Sequence, residues 1–365
     1  MTTDQPLGVV ELSQPYASAA VCQALQAAGW RVLSPSAALA EGSSPALWWA
    51  DFSALPWEHV LSARTTASAQ LLKTGLVRKA DLLHYMTKHG AARRLPATLV
   101  ADIEEADDVE ELLSRWVAAT DGDGSASLTD EAGCGDGSLW ILKPSRANRG
   151  QGIAVLVSGD AAALRTAIAA QPHERDWLLQ RYILPLLLPR TLVASPLASP
   201  SEQPTRGLKC HLRLHVLAVG SLSVWVHDAP LVMLASEEWT TPAASLVPSH
   251  ADANGGGSGG GRLLAHLTNH AQQVCGAAYE EGAHTRRLSE AFSPALAASL
   301  LEQAHTIVAE AVNPFVRGTA AFFPLPHCFE LFGFDLAIDR SGRCFAAKPA
   351  CMRHACTSMR ARACA

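Results

Sequence analysis

Four basic or titratable residues alternate with apolar ones along one segment of this 365-residue chain. The segment reads Lys-Cys-His-Leu-Arg-Leu-His and contains Lys209, His211, Arg213 and His215. Residues two apart share one face of a β-strand, so the four side chains are predicted to lie together. Neighbouring cations repel unless an anion lies between them, and acidic residues are scarce nearby. The pattern therefore favours an anion-binding strand, and a solvated edge strand is the alternative.

A basic loop containing glycines lies between two short apolar segments in the sequence LWILKPSRANRGQGI. Lys143 ends the first segment, and Arg149, Gly150 and Gly152 lie in the loop before the second. Glycine lets a backbone approach a phosphate closely, and the cationic side chains supply charge. The pattern indicates a strand–loop–strand phosphate cover, with an ordinary hairpin that has a basic tip as the alternative.

Two carboxylates interrupt the apolar sequence FELFGFDLAID, which covers residues 329–339. They belong to Glu330 and Asp335. A buried carboxylate is costly unless it is paired or binds a metal. Magnesium uses one or two such carboxylates together with phosphate oxygens. The segment therefore indicates either a magnesium site or a helix-capping or ion-pair role for each carboxylate.

The apolar sequence WLLQRYI, which covers residues 177–183, has the character of a buried strand. Where such a strand ends beside a nucleotide, its backbone groups can bind the edge of an adenine base while apolar side chains surround the ring. A buried strand without any ligand contact is the alternative.

Alternating helices and strands are needed to position these residues. Apolar periodicity predicts helices over residues 17–28, 79–89, 107–118, 164–171 and 294–311. Strands are predicted over residues 30–33, 139–143, 152–157, 177–183, 210–219, 222–226, 329–338 and 344–347, and 210–226 is predicted to form a hairpin. This mixture indicates an α+β or α/β fold.

Composition narrows the class of protein. A length of 365 residues predicts two or three packed lobes, and 48% hydrophobic with 17% charged residues predicts a folded chain. The net charge of −5 argues against a dedicated nucleic-acid-binding protein. We expect no transmembrane helix and no secretion signal, so the nine cysteines are interpreted as reduced thiols of a cytoplasmic protein. Stretches rich in Gly, Ser, Asp or Pro at 120–137, 194–207 and 254–261 are predicted to be mobile surface insertions.

Seven segments in order resemble the tubulin-tyrosine ligase-like family over about residues 76–339. They read LVRKADLL, WILKPSRANRGQGI, WLLQRYI, LKCHLRLHVLAVG, LASEEW, HLTNH and FELFGFDLAID. The resemblance implies a three-lobed α+β ATP-grasp fold with ATP between the central and C-terminal lobes. We expect an N-terminal lobe over 1–66, a central lobe over 67–190, a C-terminal lobe over 191–343 and an atypical tail over 344–365. The central lobe would carry an insertion at 120–137, and the C-terminal lobe would carry insertions at 194–207 and 242–261.

The resemblance also implies ATP and Mg²⁺ as cofactors and a set of site residues. It places Lys79 and Lys143 on the ATP phosphates, with Arg149, Gly150 and Gly152 in the loop that covers them. The implied adenine hinge consists of Gln180, Arg181, Tyr182 and Ile183. Lys209, His211 and Arg213 would line the γ-phosphate and the acceptor carboxylate, Thr268 and Asn269 would lie near the phosphates, and Asp335 would ligate magnesium.

The implied activity is a carboxylate–amine ligation through an acyl phosphate, with an amino acid as one substrate and an acidic protein tail, such as that of tubulin, as the acceptor. A basic surface would guide that tail, and its candidates are Lys73, Arg78, Lys88, Arg93 and Arg94. The alternative is a catalytically impaired ATP-binding scaffold, because some fungal relatives are linked with cytoplasmic RNA-processing bodies. Neither a membrane nor a nucleic acid is expected as a direct partner.

The chain departs from the family at particular positions. His211 stands where many members carry Asp, and Met233 stands where tubulin-tyrosine ligase itself has a substrate-selecting Arg. The family's magnesium-binding Glu-x-Asn motif corresponds to Lys348 and Ala350. A protonated lysine is a donor only and cannot ligate magnesium.

Three interpretations of this end remain open. The reading frame is wrong near residue 344, or the chain is a ligase relative that binds ATP weakly and acts as a scaffold. Otherwise Lys348 has a new role, or Cys351, His354 and Cys356 hold zinc.

Overall fold

The computed structural model describes residues 5–121, 139–147, 150–190, 196–248, 263–274, 276–280 and 282–351. In these ranges the strands form three sheets, and helices cover them. Among the same residues, no helix combines the length and the apolar character that crossing a membrane requires.

The N-terminal sheet has four parallel strands in the order β2-β1-β3-β4. Parallel neighbours need a crossover connection, and the helix after β1 supplies it. The strands are β1 (Leu7–Glu11), β2 (Arg31–Leu33), β3 (Leu47–Ala50) and β4 (Thr66–Ala67), and the helices are α1 (Pro15–Ala27), α2 (Pro35–Ala40) and α3 (Trp57–Leu61). The predicted helix over 17–28 and strand over 30–33 are confirmed, whereas β1 and β3 were not predicted.

The central sheet is antiparallel, with the order β5-β8-β6-β7. Two amphipathic helices cover one face, where Trp116 and Trp177 are fully buried in one apolar cluster. The strands are β5 (Thr98–Asp102), β6 (Leu139–Pro144), β7 (Ala154–Val157) and β8 (Asp176–Arg181). Helices α4 (Thr74–Val77) and α5 (Lys79–Lys88) precede the sheet in sequence, and the two covering helices are α6 (Ala106–Asp121) and α7 (Ala161–Ala169). The second helix begins three residues before its predicted start because the Asp160 side chain caps it by accepting from the Ala163 N–H.

The C-terminal sheet has seven strands, with β10 at its centre. Its largest buried cluster joins Leu212 and Leu214 of β10 to Leu300 and Ile307 of the longest helix. The strands are β9 (Leu187–Leu188), β10 (Leu208–Val219), β11 (Ser223–Val226), β12 (Leu231–Glu238), β13 (Thr285–Arg287), β14 (Phe329–Ile338) and β15 (Cys344–Cys351), and the helices are α8 (His270–Gln273), α9 (Leu288–Ala291) and α10 (Pro294–Val312).

Strand β10 is an interior strand, so the alternative of a solvated edge strand is wrong. It pairs with β12 on one side and with β14 on the other. Leu212 and Leu214 point into the helix-covered core, so the intervening residues His211 and Arg213 lie on the opposite face. The predicted hairpin of β10 and β11 is confirmed.

Strand β15 runs four residues beyond its predicted end at 347. Its backbone pairs with β14, with Lys348 opposite Asp335 and Ala350 opposite Gly333. His354 and Cys356, two of the three candidate zinc ligands, lie outside the described residues.

Large parts of the predicted insertions also lie outside the described residues, namely 122–137, 194–195 and 249–261. Parts of two of these stretches are described and contact the rest of the chain. Leu197 is buried and donates its N–H to the Ala291 carbonyl. Leu246 forms a two-way backbone pairing with Val155 of β7.

Candidate functional site

A cleft lies between the central and C-terminal sheets. It encloses about 990 Å³ of space that is open to solvent. The structure brings most of the candidate residues to its walls: Lys79, Lys143, Gly150, Gln180, Arg181, Tyr182, Ile183, Lys209, His211, Thr268, Asn269 and Asp335. Arg213 does not line the cleft but donates to Asp335, which does. Arg149 lies outside the described residues.

Lys79 anchors the loop that follows β6. As the first residue of α5, it directs its Nζ to the carbonyl oxygens of Pro144 and Ala147, at 2.7 and 2.8 Å. The Ser145 hydroxyl accepts from the Ala80 N–H at 3.1 Å, which attaches the same loop to the helix start. Lys79 was implied as a phosphate contact, and the structure shows that it also shapes the loop over the cleft.

The two loop glycines are required by backbone shape. Gly150 and Gly152 have φ angles of +80° and +66°, which L side chains rarely adopt. A Cβ on Gly150 would lie 3.2 Å from the Asn269 side-chain oxygen, and a Cβ on Gly152 would lie 2.9 Å from Pro144 Cγ. The loop therefore packs directly on the segment that carries Thr268 and Asn269.

At the end of β8, Gln180 binds a lysine side chain, and the backbone groups of Ile183 face the cleft. Lys143 Nζ donates to Gln180 Oε1 at 2.8 Å, and Gln180 Nε2 donates to Thr98 Oγ1 at 2.9 Å. The N–H of Tyr182 donates to the Leu139 carbonyl. The N–H and C=O of Ile183 make no hydrogen bond among the described residues, so they are available to a ligand in the cleft.

A polar cluster surrounds the buried Tyr182 hydroxyl. Lys209 Nζ lies 3.0 Å from this oxygen, Trp239 Nε1 lies 3.2 Å from it, and His266 Nδ1 lies 3.0 Å from it. Burial lowers the pKa of Lys209 to about 8, and burial together with Lys209 lowers the pKa of His266 to about 4. We call Tyr182, Lys209, Trp239 and His266 the tyrosine cluster.

At the other end of the same wall, Asp335 is the centre of an ion-pair network. Arg213 donates to both of its carboxylate oxygens, from Nε at 2.5 Å and from its terminal nitrogen at 3.1 Å. His211 Nε2 lies 3.2 Å from Asp335 Oδ1, and His211 Nδ1 lies 2.6 Å from Thr268 Oγ1. Burial opposes ionisation of Asp335, but Arg213 and His211 outweigh it and hold the pKa of Asp335 well below its usual range.

This network corrects the interpretation of the alternating cations. The anion that Arg213 and His211 contact within the described residues is Asp335 of β14, which lies directly opposite Arg213 in the sheet. His215, the fourth member, is buried outside the cleft. Its burial, Arg213 and His227 lower its pKa to about 4, so it carries no charge at neutral pH.

Glu330 forms an ion pair, which is one of the roles that the sequence left open for it. Its Oε2 accepts from Lys73 Nζ at 2.6 Å and from the Gln70 N–H at 2.8 Å. Both side chains of the pair are more than nine-tenths buried, so Lys73 is not part of an exposed guiding surface. Arg93 and Arg94 both pair with Glu310.

Sequence reasoning missed two members of the tyrosine cluster. Trp239 and His266 lie within the quoted segments LASEEW and HLTNH, but a buried indole or imidazole gives no sign in sequence of the group that it contacts. Only the alternation of His266 with Thr268 offers a signal. Thr268 contacts His211 of β10 and His266 feels the charge of Lys209 of β10, and these two β10 residues have the same two-residue spacing.

Comparison with known proteins gives three findings. The family model described as the tubulin-tyrosine ligase family matches residues 78–343. No curated protein matches the chain. A solved structure, the C-terminal domain from K. lactis Pby1, described as an ATP-grasp enzyme interacting with the mRNA decapping enzyme Dcp2, is similar to this chain with a TM-score of 0.55 and 18% identity, over 95% of this chain and 86% of that one.

The family match covers well over half of the chain and ends one residue before Cys344, where the family pattern was seen to fail. The structural similarity at low identity supports the fold alone. The expected α+β ATP-grasp fold is thereby confirmed, and the chain belongs to the tubulin-tyrosine ligase family.

Proposed function

We propose that this chain binds ATP in the cleft, with the base at Ile183 and the phosphates beneath the loop between β6 and β7. One observation carries the proposal: a single cleft joins the free backbone groups of Ile183 to Lys143 and the glycine loop. A base edge needs a donor and an acceptor, and a triphosphate needs cations and close backbone approach.

The residues present do not fit a magnesium ion held by the protein. The described residues contain no group of three or more His, Cys, Asp or Glu side chains able to hold a metal. Asp335, the implied ligand, already accepts from Arg213 and His211. The positions of the implied Glu and Asn hold Lys348 and Ala350 in this sequence, and neither residue type offers magnesium a side-chain oxygen ligand.

The function that this site supports best is therefore ATP binding by a ligase-like protein whose ligation chemistry is impaired. Such a protein acts as an interaction scaffold, and ATP occupancy stabilises the arrangement of the two sheets that form the cleft. The similar K. lactis domain is described as interacting with a decapping enzyme. We therefore also propose that this chain acts as a scaffold in cytoplasmic RNA-processing bodies.

The second candidate is an active carboxylate–amine ligase, which family membership favours. In that reaction the acceptor carboxylate attacks the γ-phosphorus of ATP, ADP leaves, and an acyl phosphate forms. The amine of an amino acid then attacks the acyl carbon and releases inorganic phosphate and a proton. Lys143 and Lys209 would hold negative charge during these steps, and an acidic tail such as that of tubulin would be the acceptor.

Calorimetry of ATP binding, with and without Mg²⁺, tests the first candidate. We expect this chain to bind ATP with little dependence on Mg²⁺, and Lys143→Ala to weaken binding at least tenfold, because a charged contact contributes about 1.5–3 kcal/mol. Lys88→Ala, an exposed lysine at the end of α5, is the matched control and should bind as the parent does. Absence of ATP binding by the parent chain would refute the site assignment.

The double change Lys348→Glu/Ala350→Asn separates the two candidates. Under the first candidate it creates a Mg²⁺-dependent gain in ATP affinity that the parent chain lacks. Incorporation of a labelled amino acid into tubulin by the parent chain, above that of Lys143→Ala, would refute the scaffold and support the ligase.

A further inference from the structure

Hydrogen-bonding capacity in the tyrosine cluster determines where its protons lie. The Tyr182 hydroxyl has two acceptor lone pairs and one proton. The Trp239 indole N–H can only donate, and so can Lys209 as an ammonium. With a pKa of about 8, Lys209 is protonated at neutral pH. These two donors, at 3.2 and 3.0 Å, occupy both lone pairs.

The hydroxyl proton of Tyr182 must then point to its third neighbour, His266 Nδ1, at 3.0 Å. A nitrogen that accepts a proton donor cannot carry its own proton, so the proton of a neutral His266 lies on Nε2. The pKa of about 4 keeps His266 neutral at physiological pH. Edge-to-face contacts with Tyr182 and Trp239 fix the orientation of the ring.

The Nε2–H of His266 has no partner among the described residues, although the residue is only 2% exposed. A donor without a protein partner that can be reached from a cleft is able to hydrogen-bond a ligand or water there. His266 lines the cleft beside Tyr182, Ile183 and Lys209, so the cleft is where an acceptor can reach it.

We propose that His266 donates a hydrogen bond from Nε2 to an acceptor atom on the base or ribose of the bound nucleotide, and that the Tyr182 hydroxyl holds it in the tautomer that can do so. The proposal rests on ATP as the ligand of the cleft and adds a recognition residue at its nucleoside end. His266 lies at that end because it contacts Tyr182, the neighbour of Ile183, whereas Thr268, two residues on, contacts His211 and the Asp335 network.

NMR with ¹⁵N-labelled histidine tests the tautomer in the whole, ligand-free chain. We expect His266, assigned by loss of its signal in His266→Gln, to show the neutral Nε2–H pattern from pH 8 to pH 6. Among the residues that the structure describes, Tyr182 is the one donor to Nδ1, so in Tyr182→Phe the tautomers should mix and the ring should titrate at higher pH. An Nδ1–H pattern in the parent chain overturns the proposal whether or not ATP binds.

Calorimetry with two ligands tests the contact itself. We expect His266→Phe to weaken ATP binding at least tenfold and His266→Gln, whose amide N–H replaces that of Nε2, to stay within threefold of the parent. Binding of inorganic tripolyphosphate should be equal in all three, because His266 serves the nucleoside end. The proposal is overturned if His266→Phe weakens binding of ATP and of tripolyphosphate equally, or weakens neither. A parent chain that binds tripolyphosphate but not ATP refutes the proposed ATP site instead.

Discussion

Replacement of Asp335 by Asn should destabilise the fold far more than the loss of a single charge would suggest. The change leaves Arg213 next to an amide that can satisfy only part of its bidentate contact. Removing one partner of a buried ion pair costs about 3–5 kcal/mol, because the other charge remains buried. Arg213 exposes 21% of its side chain and Asp335 exposes 12%, so we expect the lower end, about 3 kcal/mol.

The destabilisation caused by Asp335→Asn should depend on pH in a definite direction. The pKa of Asp335 is lower in the folded chain than the value of about 3.9 in an unfolded one. Its ionic contribution is therefore fully present above about pH 4 and is lost as the pH falls towards the folded pKa. The difference in the free energy of unfolding between the parent and Asp335→Asn should shrink as the pH falls below about 4.

Urea denaturation followed by tryptophan fluorescence measures both quantities. The matched control is Glu110→Gln, which removes the carboxylate of an exposed bidentate pair with Arg165 and should have a much smaller effect. The network around Asp335 does not have the role argued for it if Asp335→Asn costs no more than Glu110→Gln. The same holds if the destabilisation caused by Asp335→Asn grows as the pH falls from 4 to 3.

Three further predictions follow from contacts elsewhere. Glu330→Gln should lower the free energy of unfolding by about 3–5 kcal/mol because it leaves the Lys73 charge buried. In urea denaturation, Lys73→Met/Glu330→Leu should recover only part of that loss, because the buried Gln70 N–H loses the Glu330 oxygen that accepts from it. ATP affinity should fall above about pH 8, where Lys209 loses its proton, and calorimetry should show no such fall in Lys209→Met. Gly150→Ala should weaken ATP binding severalfold more than Gly159→Ala: both glycines have positive φ, but a Cβ would clash with neighbouring side chains only at Gly150. Equal affinities of the two variants would argue against a close fit of the loop.

Local patterning was enough to predict the elements that carry the site. The alternation of apolar and cationic residues in β10, and the apolar runs of β8 and β14, appear as strands within two residues of their expected starts. These patterns concern neighbours in sequence. The register that sets Arg213 opposite Asp335 joins positions 122 residues apart, and no periodicity within either strand specifies that pairing.

The same limit explains what was misjudged about charge. Lys73 was assigned to a surface because lysines are rarely buried alone, and Glu330 could equally have been a metal ligand. Their pairing across 257 residues satisfies both charges at once. A count of acidic residues near β10 in sequence was equally uninformative, because the anion that separates its cations comes from another strand.

The position of residue 348 relative to Asp335 explains the effect of replacing the family's magnesium-binding Glu. Asp335 of β14 and Lys348 of β15 are direct neighbours in the sheet, so a carboxylate at 348 would place two anions side by side. Two adjacent carboxylates are stable when a cation lies between them, and that is the setting in which magnesium binds. Residue 348 is a lysine and therefore supplies no second carboxylate. Among the described residues, Arg213 and His211 compensate the charge of Asp335 that a metal would otherwise compensate.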